Sequence, residues 1–410
     1  MATTSNMTTQ GSLLKELYTL PPVRVINDKS FLHDKLTKEQ AELDFSGKYV
    51  RFPVTVQRSL GDGSRGDGGE LPDAISEVDL DATAAMAFHY HTLEWTDALE
   101  QVSKNKQGSF ESAVGRKMRN LSTDLAKSLN RQWYNSDANG ALATVPGTGA
   151  NSATQTVDSI QFLTVGRSVD VYNGGSLVST VTINSVNAVS KTVTFSASVN
   201  LSAVSNATIH IAGSRGSEVP AGLRAITAAG RTLHNINSST YPAWDGYNLA
   251  LSGAVAGESS FEQLSDGIGE RGRGEMDTYL TTRGIRRRLA DEFASQRRWL
   301  NEKTLDVKLG YRMLEVNGHE CVIDDDCPKG YVFAISRDAL KLMQLTQPGF
   351  MESEAGNAAA VELKNSTNAG KRMAIWQAYY RYYVTMVCTD PARTGRIPDA
   401  EDDAPTQPVA

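Results

Sequence analysis

The apolar residues of positions 109–133 recur every three or four residues, which predicts one long amphipathic helix. The charged residues of this stretch fall outside the apolar stripe. At about 1.5 Å per residue the helix spans roughly 37 Å, so its stripe needs a large partner surface. The stripe contains Phe110, Val114, Met118, Leu121, Leu125, Leu129 and Trp133, and the charged residues outside it include Arg116, Arg119, Asp124, Lys127 and Arg131.

Closer to the N-terminus, apolar residues recur at every second position, which is the pattern of a β-strand rather than of a helix. Apolar and polar residues alternate over positions 50–57 and again over positions 78–90. The glycine-rich sequence LGDGSRGDGGELPD lies between them, so the two stretches are predicted to form an extended hairpin with a flexible tip. A two-stranded ribbon is marginally stable at best, and a hairpin that projects from its own chain must be covered by something outside it.

Two further segments surround these elements. Residues 1–44 are predicted to form an N-terminal arm with short helical pieces at SLLKELYTL and KLTKEQAEL, and TDALEQVSK is predicted to be a short helix. Residues 139–156, which are rich in glycine, alanine and threonine, are predicted to be a linker. Over residues 160–214 valine and isoleucine alternate with serine, threonine and asparagine, which predicts four or five short strands in a small inserted all-β module.

Helical and strand patterns alternate after Glu218, which predicts a second core of α/β character. The residues after Pro391 are rich in proline and acidic side chains and are predicted to be a solvated end. The predicted elements of the second core are helices at SSFEQLSDGI, RGIRRRLADEFASQRRW and RDALKLMQL, the last capped by Ser336, and strands at MDTYLTT, GYVFAIS and positions 373–388.

Composition narrows the class of protein. The chain has 410 residues, 40% of them hydrophobic and 21% charged, which is ordinary for a folded protein with two or three cores. A net charge of −6 argues against a chain that mainly neutralises nucleic-acid phosphates, so DNA contact is expected to be local. We expect no export signal and no membrane span, because the N-terminus is polar and no uncharged apolar run approaches 18 residues. The three cysteines, Cys321, Cys327 and Cys388, are expected to be buried thiols in a reducing cytosol.

Several short motifs resemble nucleotide-binding or metal-binding sites, but each match is weak. GIGERG at positions 267–272 follows a predicted helix and precedes a strand, which is the reverse of the order in a dinucleotide site, so we interpret it as a glycine-rich helix end. His89 and His91 share a strand face without a third ligand and are expected to face solvent. His319-Glu320 lacks the second histidine of a zinc-protease motif.

Two charged clusters are also interpreted as structural. The acidic run at positions 324–326 lacks the staggered ligands and glycine of a calcium loop and is expected to be a solvated loop. A second cluster, of arginines between positions 286 and 298, is basic. For this basic cluster, pairing between subunits is favoured over DNA contact. We therefore predict no catalytic residue, no cofactor-binding residue and no metal site, and the chain is not expected to be an enzyme. The basic cluster contains Arg286, Arg287, Arg288, Arg297 and Arg298.

Taken together, the arm, the hairpin, the long helix, the β module, GYVFAISRDAL and the aromatic strand YYRYYVTMV resemble the tailed-bacteriophage major capsid proteins, which have the Hong Kong 97-like fold. The resemblance implies an α+β phage capsid fold. Its implied parts are an N-terminal arm (1–44), an extended β-hairpin E-loop (45–96), a peripheral domain with a long spine helix (97–157), an inserted small all-β module (158–218), an axial domain (219–384), and a peripheral-domain return strand with a solvated tail (385–410).

The resemblance implies a structural protein of the virion capsid, assembled in the cytoplasm of a bacterial host. Its copies would form hexamers and pentamers that tile an icosahedral shell around double-stranded DNA. The implied partners are further copies of the chain, a portal protein, a scaffolding protein and non-specifically bound packaged DNA, with room for a decoration protein. Since the 44-residue arm is too short to supply the fused scaffold domain of some members, a separate scaffolding protein is implied.

One departure from the family concerns covalent stabilisation. Members that weld the shell use an E-loop lysine, and this chain has no lysine between Lys48 and Lys104, so non-covalent stabilisation is expected. Two alternative functions stay open. An encapsulin-like nanocompartment of the same fold encloses an enzyme cargo, and a nucleotide-binding enzyme rests on GIGERG alone. A surface adhesin built on residues 160–214 is disfavoured because no export signal is visible.

Overall fold

The computed structural model describes residues 31–40, 49–104, 113–271, 276–296, 314–351, 361–365 and 372–402, and the fold in these ranges is mixed α+β. The helices are α1 (Phe31–Lys35), α2 (Asp97–Lys104), α3 (Ala113–Gln132), α4 (Leu223–Ile226), α5 (Glu258–Glu270) and α6 (Arg283–Gln296). The strands are β1 (Thr37–Gln40), β2 (Tyr49–Gln57), β3 (Val78–Ala85), β4 (Ala87–Thr96), β5 (Ala143–Thr148), β6 (Asn151–Thr156), β7 (Ser168–Asn173), β8 (Ser176–Asn187), β9 (Thr192–Asn200), β10 (Ser205–Ile211), β11 (Thr232–Leu233), β12 (Ile236–Asn237), β13 (Tyr247–Asn248), β14 (Thr278–Thr281), β15 (Leu314–Val316), β16 (His319–Ile323), β17 (Val332–Ile335), β18 (Leu340–Phe350), β19 (Val361–Asn365), β20 (Arg372–Cys388) and β21 (Gly395–Ile397).

Helix α3 confirms the long helix predicted from the apolar stripe. It ends one residue before the predicted end, and its predicted start lies outside the described residues. Leu121, Leu125 and Leu129 are buried, and Trp133 is fully buried just beyond the helix. The spacing of three and four therefore identifies a face of α3 that packs against the protein. Helix α2 agrees with the prediction for TDALEQVSK.

The described residues belong to two compact units. The smaller unit draws on residues 91–123 and 350–380. The indole of Trp95 lies in its apolar core and donates a hydrogen bond to the Glu100 carboxylate at 3.1 Å. Strands β4 and β20 and helix α3 thus contribute to one small core, whose buried members are Leu93, Trp95, Leu121 and Ala378.

The larger unit contains a six-stranded sheet in the order β13-β21-β17-β14-β16-β15. Helices α5 and α6 contribute Phe261 and Leu289 to the core shared with this sheet, and Tyr279 of β14 donates its phenolic hydrogen to the Phe261 carbonyl at 2.9 Å. The second core predicted after Glu218 is therefore present, and α5, α6, β14 and β17 lie where the sequence pattern predicts them.

Strands β2 and β3 form the predicted antiparallel hairpin, with Val50 opposite Ala84 and Phe52 opposite Ala82. These residues point to one face, and Val50, Ala82 and Ala84 on it are buried. The prediction of a single second strand over positions 78–90 is wrong. The strand breaks at Met86, and β4 leaves the hairpin to pair with β20. The buried face changes at the break: Ala82 and Ala84 are buried on β3, whereas Ala87 and His89 are buried on β4 and Phe88 is exposed.

Residues 143–211 form a six-stranded sheet in the order β5-β10-β7-β8-β9-β6, here called the 143–211 module. Its strands enclose a core of their own in which Ile183, Val193 and Phe195 are almost fully buried. The linker predicted over residues 139–156 is wrong, since β5 and β6 belong to this sheet. Their pattern is weak because few of their buried positions are apolar. Ala143 and Val145 are buried on β5, and the buried residue of β6 is the polar Gln155, which donates to backbone carbonyls, among them that of Ala150 at 2.7 Å.

The helix predicted at RDALKLMQL is wrong. Strand β18 occupies the segment, with Leu340 and Leu342 buried and Lys341 half-buried between them. Both periods fit these apolar residues, and pairing with β20 selects the strand. Ser336 caps no helix, and its hydroxyl is buried without a hydrogen-bond partner among the described residues.

Both ends of the described chain are more ordered than predicted. Within KLTKEQAEL, strand β1 replaces the predicted helical turn and pairs in parallel with β18, while Leu32 and Leu36 before it are buried. The piece SLLKELYTL lies outside the described residues. The solvated end predicted after Pro391 is wrong for residues 391–400, because β21 pairs with both β13 and β17 and Ile397 is fully buried. Within the described ranges, no helix is both long and apolar enough to cross a lipid bilayer.

Candidate assembly surfaces

The hairpin tip, defined as residues 58–77, leaves almost every side chain in solvent. It carries two arginines and five carboxylates, a net charge of −3. Leu71 is 83% exposed, and Leu60 and Ile75 are about half exposed. The Ser59 hydroxyl and the Leu60 amide both donate to the Ile75 carbonyl, at 2.6 and 3.2 Å, and hold the two arms of the tip together. An ordered loop that exposes apolar side chains is typical of a surface that a partner covers.

The hairpin base is covered by the protein's own turn between β11 and β12. The Thr83 amide donates to the His234 carbonyl at 2.8 Å, and the Phe52 ring lies edge-on to the His234 ring at 5.7 Å. His234 Nε2 accepts a hydrogen bond from the Cys388 amide at 3.2 Å. The expectation that outside molecules must cover the whole hairpin is therefore wrong for its base and stays a prediction for its tip.

His234 is held as a neutral acceptor in this turn. It has a φ of 50° and Asn235 a φ of 68°, the left-handed pair that a tight hairpin turn between two short strands requires. Burial and, as the smaller cause, the nearby Arg231 charge together lower the pKa of His234 from 6.5 to about 4. A neutral imidazole whose Nε2 accepts from Cys388 carries its proton on Nδ1.

A buried polar cluster joins α1, α3 and the loop after β16. The Asn130 carbonyl oxygen accepts from the His33 amide at 3.1 Å, while its amide nitrogen donates to Asp324 at 3.1 Å and to Asp326 at 2.6 Å. Lys127 pairs with Asp326 at 2.9 Å. The expectation of a solvated acidic loop is therefore wrong for Asp324 and Asp326, which are 3% and 1% exposed. Their charge is accommodated because donors from α3 satisfy it.

The electrostatics of this cluster follow from burial. Desolvation raises the pKa of Asp326 from 3.8 to about 6, and the Lys127 charge opposes that shift. Burial also raises the pKa of Tyr134 well above its usual value, with the Asp324 charge as the next cause. The Tyr134 phenol therefore keeps its proton and donates it to Asp324 at 2.8 Å. The cluster fixes the C-terminal half of α3 to the loop after β16.

An aromatic face remains open on strands β4 and β20. Phe88 and Tyr90 are 48% and 56% exposed, and both rings lie edge-on to Tyr383, at 4.9 and 5.9 Å. The Tyr90 and Tyr383 hydroxyls are 3.2 Å apart, and the Arg381 guanidinium lies 5.9 Å from the Tyr383 ring centre. Clustered tyrosine and arginine side chains are enriched in protein interfaces, so this face is a second candidate surface.

Arg131 was expected outside the packed face of α3, and that expectation is wrong. Its guanidinium is buried and pairs with Glu218 at 2.6 Å. The second oxygen of Glu218 accepts from the Asn135 amide at 2.9 Å. Glu218 follows β10, so the chain returns from the 143–211 module directly onto the end of α3 and covers a second side of that helix.

A cleft of about 400 Å³ lies next to this ion pair, between the 143–211 module and residues 328–331. We call it the Arg224 cleft. The Arg224 guanidinium lies over the Tyr331 ring at 5.2 Å, and its Nε atom is buried without a hydrogen-bond partner in the described part of the chain. Phe162 and Lys329 also line the cleft. The cleft thus combines aromatic walls with a cation whose hydrogen-bonding capacity is not fully used.

The residues weighed from sequence as metal or nucleotide ligands are not brought together. His89 is buried rather than solvent-facing, and desolvation followed by the Arg131 charge lowers its pKa to about 4. No three histidine, cysteine or carboxylate side chains in the described ranges cluster in a way that could hold a metal ion. GIGERG begins inside α5 and is followed by β14, as the helix-end interpretation predicts, and Gly267 is required because a side chain there would strike the Tyr247 ring.

The remaining predictions have mixed outcomes. Cys321, Cys327 and Cys388 are free and buried, as predicted. In the basic cluster, Arg288 pairs with Glu401 of the same chain at 2.7 Å, so its charge is at least partly satisfied without a second subunit. Arg297 and Arg298 lie outside the described residues. The absence of catalytic, cofactor-binding and metal residues stays a prediction.

Sequence reasoning missed Asn130, Glu218, His234 and Arg224. Each acts through a partner that is distant in the chain, such as Asp324 for Asn130, 194 residues away. The one local signal was at Asn130, a polar residue beside the apolar positions of a long helix, which is typical of a buried hydrogen bond.

No protein-family model and no curated protein sequence matches this chain. Solved structures match its fold. The capsid asymmetric unit of cyanophage A-1(L) aligns with a TM-score of 0.61 over 97% of this chain and 100% of the other, at 12% sequence identity. The capsid of a native GTA particle aligns with a TM-score of 0.51 over 97% and 100%, at 9% identity. A structure from Mycobacterium phage Adephagia gives 0.50 over 97% and 98%, at 8% identity. The chain therefore has the mixed α+β fold of phage capsid proteins, which confirms the fold that the sequence resemblance implied.

Proposed function

We propose that this chain is the major capsid protein of a tailed phage and that its copies assemble as hexamers and pentamers into an icosahedral shell around double-stranded DNA. The observation that carries the proposal is the capsid fold, which covers 97% of the chain. The hairpin tip and the aromatic face support it, because a single copy leaves apolar side chains exposed on both. Copies that cover such surfaces on one another form closed, symmetric assemblies.

The elements take the following roles in this proposal. The β2–β3 hairpin is the E-loop, α3 is the spine helix, and the 143–211 module is an insertion between that helix and the axial domain. The role is structural rather than catalytic. A scaffolding protein and a portal protein are the proposed partners during assembly in the host cytoplasm, and the shell is held together without covalent links because the hairpin offers no lysine.

Co-expression with its scaffolding protein tests this proposal. We expect closed particles in negative-stain electron microscopy, and particles from infected cells should contain DNA. A chain that stays monomeric or dimeric in light scattering under every assembly condition would refute the proposal. Particles that enclose an enzyme instead of DNA would assign the chain to the nanocompartments.

The non-covalent part of the proposal has a separate test. Mature particles boiled in detergent and reductant should release single chains of 44.4 kDa on a denaturing gel. Bands of two or more chains that survive this treatment would show that another residue pair forms a weld.

A further inference from the structure

Asn130 lies at a junction of three elements of the larger unit. Helix α3 carries it, and its side chain bonds to two other parts of the chain: residues 31–36, here called the arm segment, and residues 324–326, here called the acidic loop. The arm segment leads into β1, which pairs with β18, and the acidic loop follows β16. Asn130 is 0% exposed, so the polar atoms of its side chain depend on partners within the protein.

The two ends of the Asn130 amide serve different elements. Its oxygen accepts from the His33 backbone amide at 3.1 Å, while its nitrogen donates to Asp324 at 3.1 Å and to Asp326 at 2.6 Å. An ionised carboxylate only accepts hydrogen bonds, so the acidic loop can be satisfied by the nitrogen end alone. A reversed amide would place its oxygen against two carboxylates and its nitrogen against the His33 N–H. The acidic loop therefore keeps the oxygen end directed at the arm segment.

The arm segment uses that oxygen to dock on α3. His33 is the third residue of α1, and the first N–H groups of a helix have no acceptor within the helix itself. The Asn130 oxygen supplies an acceptor for this buried N–H, which would be costly to leave unpaired. The His33 ring stacks on Trp133 with the ring centres 6.1 Å apart, and Leu32 and Leu36 are buried beside it. One amide oxygen thus completes the contact between the arm segment and α3.

We propose that Asn130 is a conformational relay that couples the arm segment to the acidic loop, so that displacement of the acidic loop loosens the arm segment from α3. The relay works because the two ends of one amide cannot be reoriented independently. A neighbouring copy or a ligand that moved the acidic loop would thereby act on the segment that precedes β1. The inference goes beyond the proposed function, and it concerns a link within one chain that does not require particles.

Hydrogen exchange at the His33 amide of the unassembled chain tests the relay. The loop variant combines Asp326→Ala with Lys127→Met, because the two side chains pair at 2.9 Å and a buried charge left alone would destabilise the whole protein. We expect exchange at His33 to be at least about threefold faster, towards the lower end of the coupling within one hydrogen-bond network. The pH should lie well above the Asp326 pKa of about 6, so that the wild-type carboxylate is ionised.

The matched control is Asp325→Ala in the same loop. The Asp325 side chain pairs with Arg283 of α6 at 2.7 Å, so this variant changes the charge of the acidic loop without removing a partner of Asn130, and exchange at His33 should stay as in the wild type. A general folding defect would instead accelerate exchange at the Asp277 amide, which donates to the Ile335 carbonyl at 2.9 Å. We expect that amide to be unchanged in the loop variant.

The decisive comparison repeats the loop variant in an Asn130→Ala background. Without the amide, His33 should already exchange fast, and the loop variant should add no further increase.

A reciprocal test needs no change at Asn130, so it decides the question even if Asn130→Ala does not fold. Coupling between two contacts acts equally in both directions, so loosening the arm segment by Leu32→Ala should accelerate exchange at the Asp326 amide, which donates to Asp324 Oδ1 at 3.0 Å. An unchanged His33 amide in the loop variant, an undiminished effect in the Asn130→Ala background, or an unchanged Asp326 amide in Leu32→Ala would overturn the relay.

Discussion

The hairpin and the 143–211 module have the same alternating pattern and differ in what covers the apolar face. In the module, six strands bury Ile183 and Phe195 within their own sheet. In the hairpin, two strands rely on His234 and its turn at the base, and the tip is left to solvent. A period of two therefore predicts a strand and a buried face, but the number of neighbouring strands decides whether that face is buried within one chain.

The largest expected effect is on the free energy of unfolding, when an apolar residue is replaced by aspartate in the module rather than in the tip. Ile183→Asp places a carboxylate in the closed core of the module, where Ile183 is fully buried, and should cost about 4 kcal/mol or more of unfolding free energy. Leu71→Asp in the tip should change that free energy by less than about 0.5 kcal/mol. Urea unfolding followed by circular dichroism measures both. Equal destabilisation would show that the tip is covered within the chain.

The hairpin base should depend on pH through His234. The folded pKa of about 4 lies below the ordinary value of 6.5, so the unfolded chain binds more protons between these values and stability falls as pH falls from 6.5 towards 4. The fall attributable to His234 is up to about 3 kcal/mol.

The control for this prediction is His234→Asn, which tolerates the left-handed backbone and does not titrate. Its free energy of unfolding should fall less steeply than that of the wild type over the same pH range, with His89 supplying part of the remaining dependence. Identical slopes for the two proteins would contradict the neutral His234. Hydrogen exchange at the Thr83 amide should locate the effect at the hairpin base.

The module alone should fold, and the hairpin alone should not. A fragment of residues 139–218 exposes Glu218 to solvent, away from Arg131 and Asn135, and within the module it loses the hydrogen bonds from Gln161 Nε2 to the carbonyls of Asp325 and Cys327, at 2.7 and 3.1 Å. Two such bonds contribute about 2 kcal/mol, so the fragment should keep a cooperative melt at a lower temperature. A peptide of residues 49–85 should give the spectrum of a disordered chain. A disordered module fragment would refute its independence.

Removing the tip should have a small effect on stability and a complete effect on assembly. Replacing residues 58–77 by Asn-Gly joins β2 to β3 with a two-residue turn and removes only exposed side chains and the bonds among them. The free energy of unfolding should change by less than about 1 kcal/mol, because loop closure depends weakly on length. Electron microscopy should show no closed particles. Normal particles from this variant would remove the tip from the assembly mechanism.

The sequence correctly predicted the elements whose form depends on residues that are close together in the chain. Helices α3, α5 and α6 and the hairpin follow from their periods, since one face of each is apolar. The segment of β18 was assigned to a helix because its leucines fit both periods, and only β20 beside it decides. Strands β5 and β6 were missed because β5 buries only Ala143 and Val145 and the buried residue of β6 is the polar Gln155.

The sequence predicted one candidate surface and missed another, because the first is built from contiguous residues and the second from distant ones. The exposed tip could be predicted, because its glycines and charges are contiguous in the sequence. The Arg224 cleft could not, since its walls come from α4, the 143–211 module and the segment at residues 328–331. Asp324 and Asp326 were assigned to solvent because the donors that satisfy them lie on α3, almost two hundred residues earlier.

The lysine-free hairpin also makes the tip a reporter for proteolysis. Trypsin cuts after lysine or arginine, and the exposed Arg58 and Arg65 are the only such residues in the tip. A free chain should therefore be cut at Arg58 or Arg65, while a chain whose tip is covered by a neighbour should resist cleavage at these two sites. The fraction of uncut chain, sampled at successive times after mixing with the scaffolding protein, would record the rate at which subunits enter a closed particle.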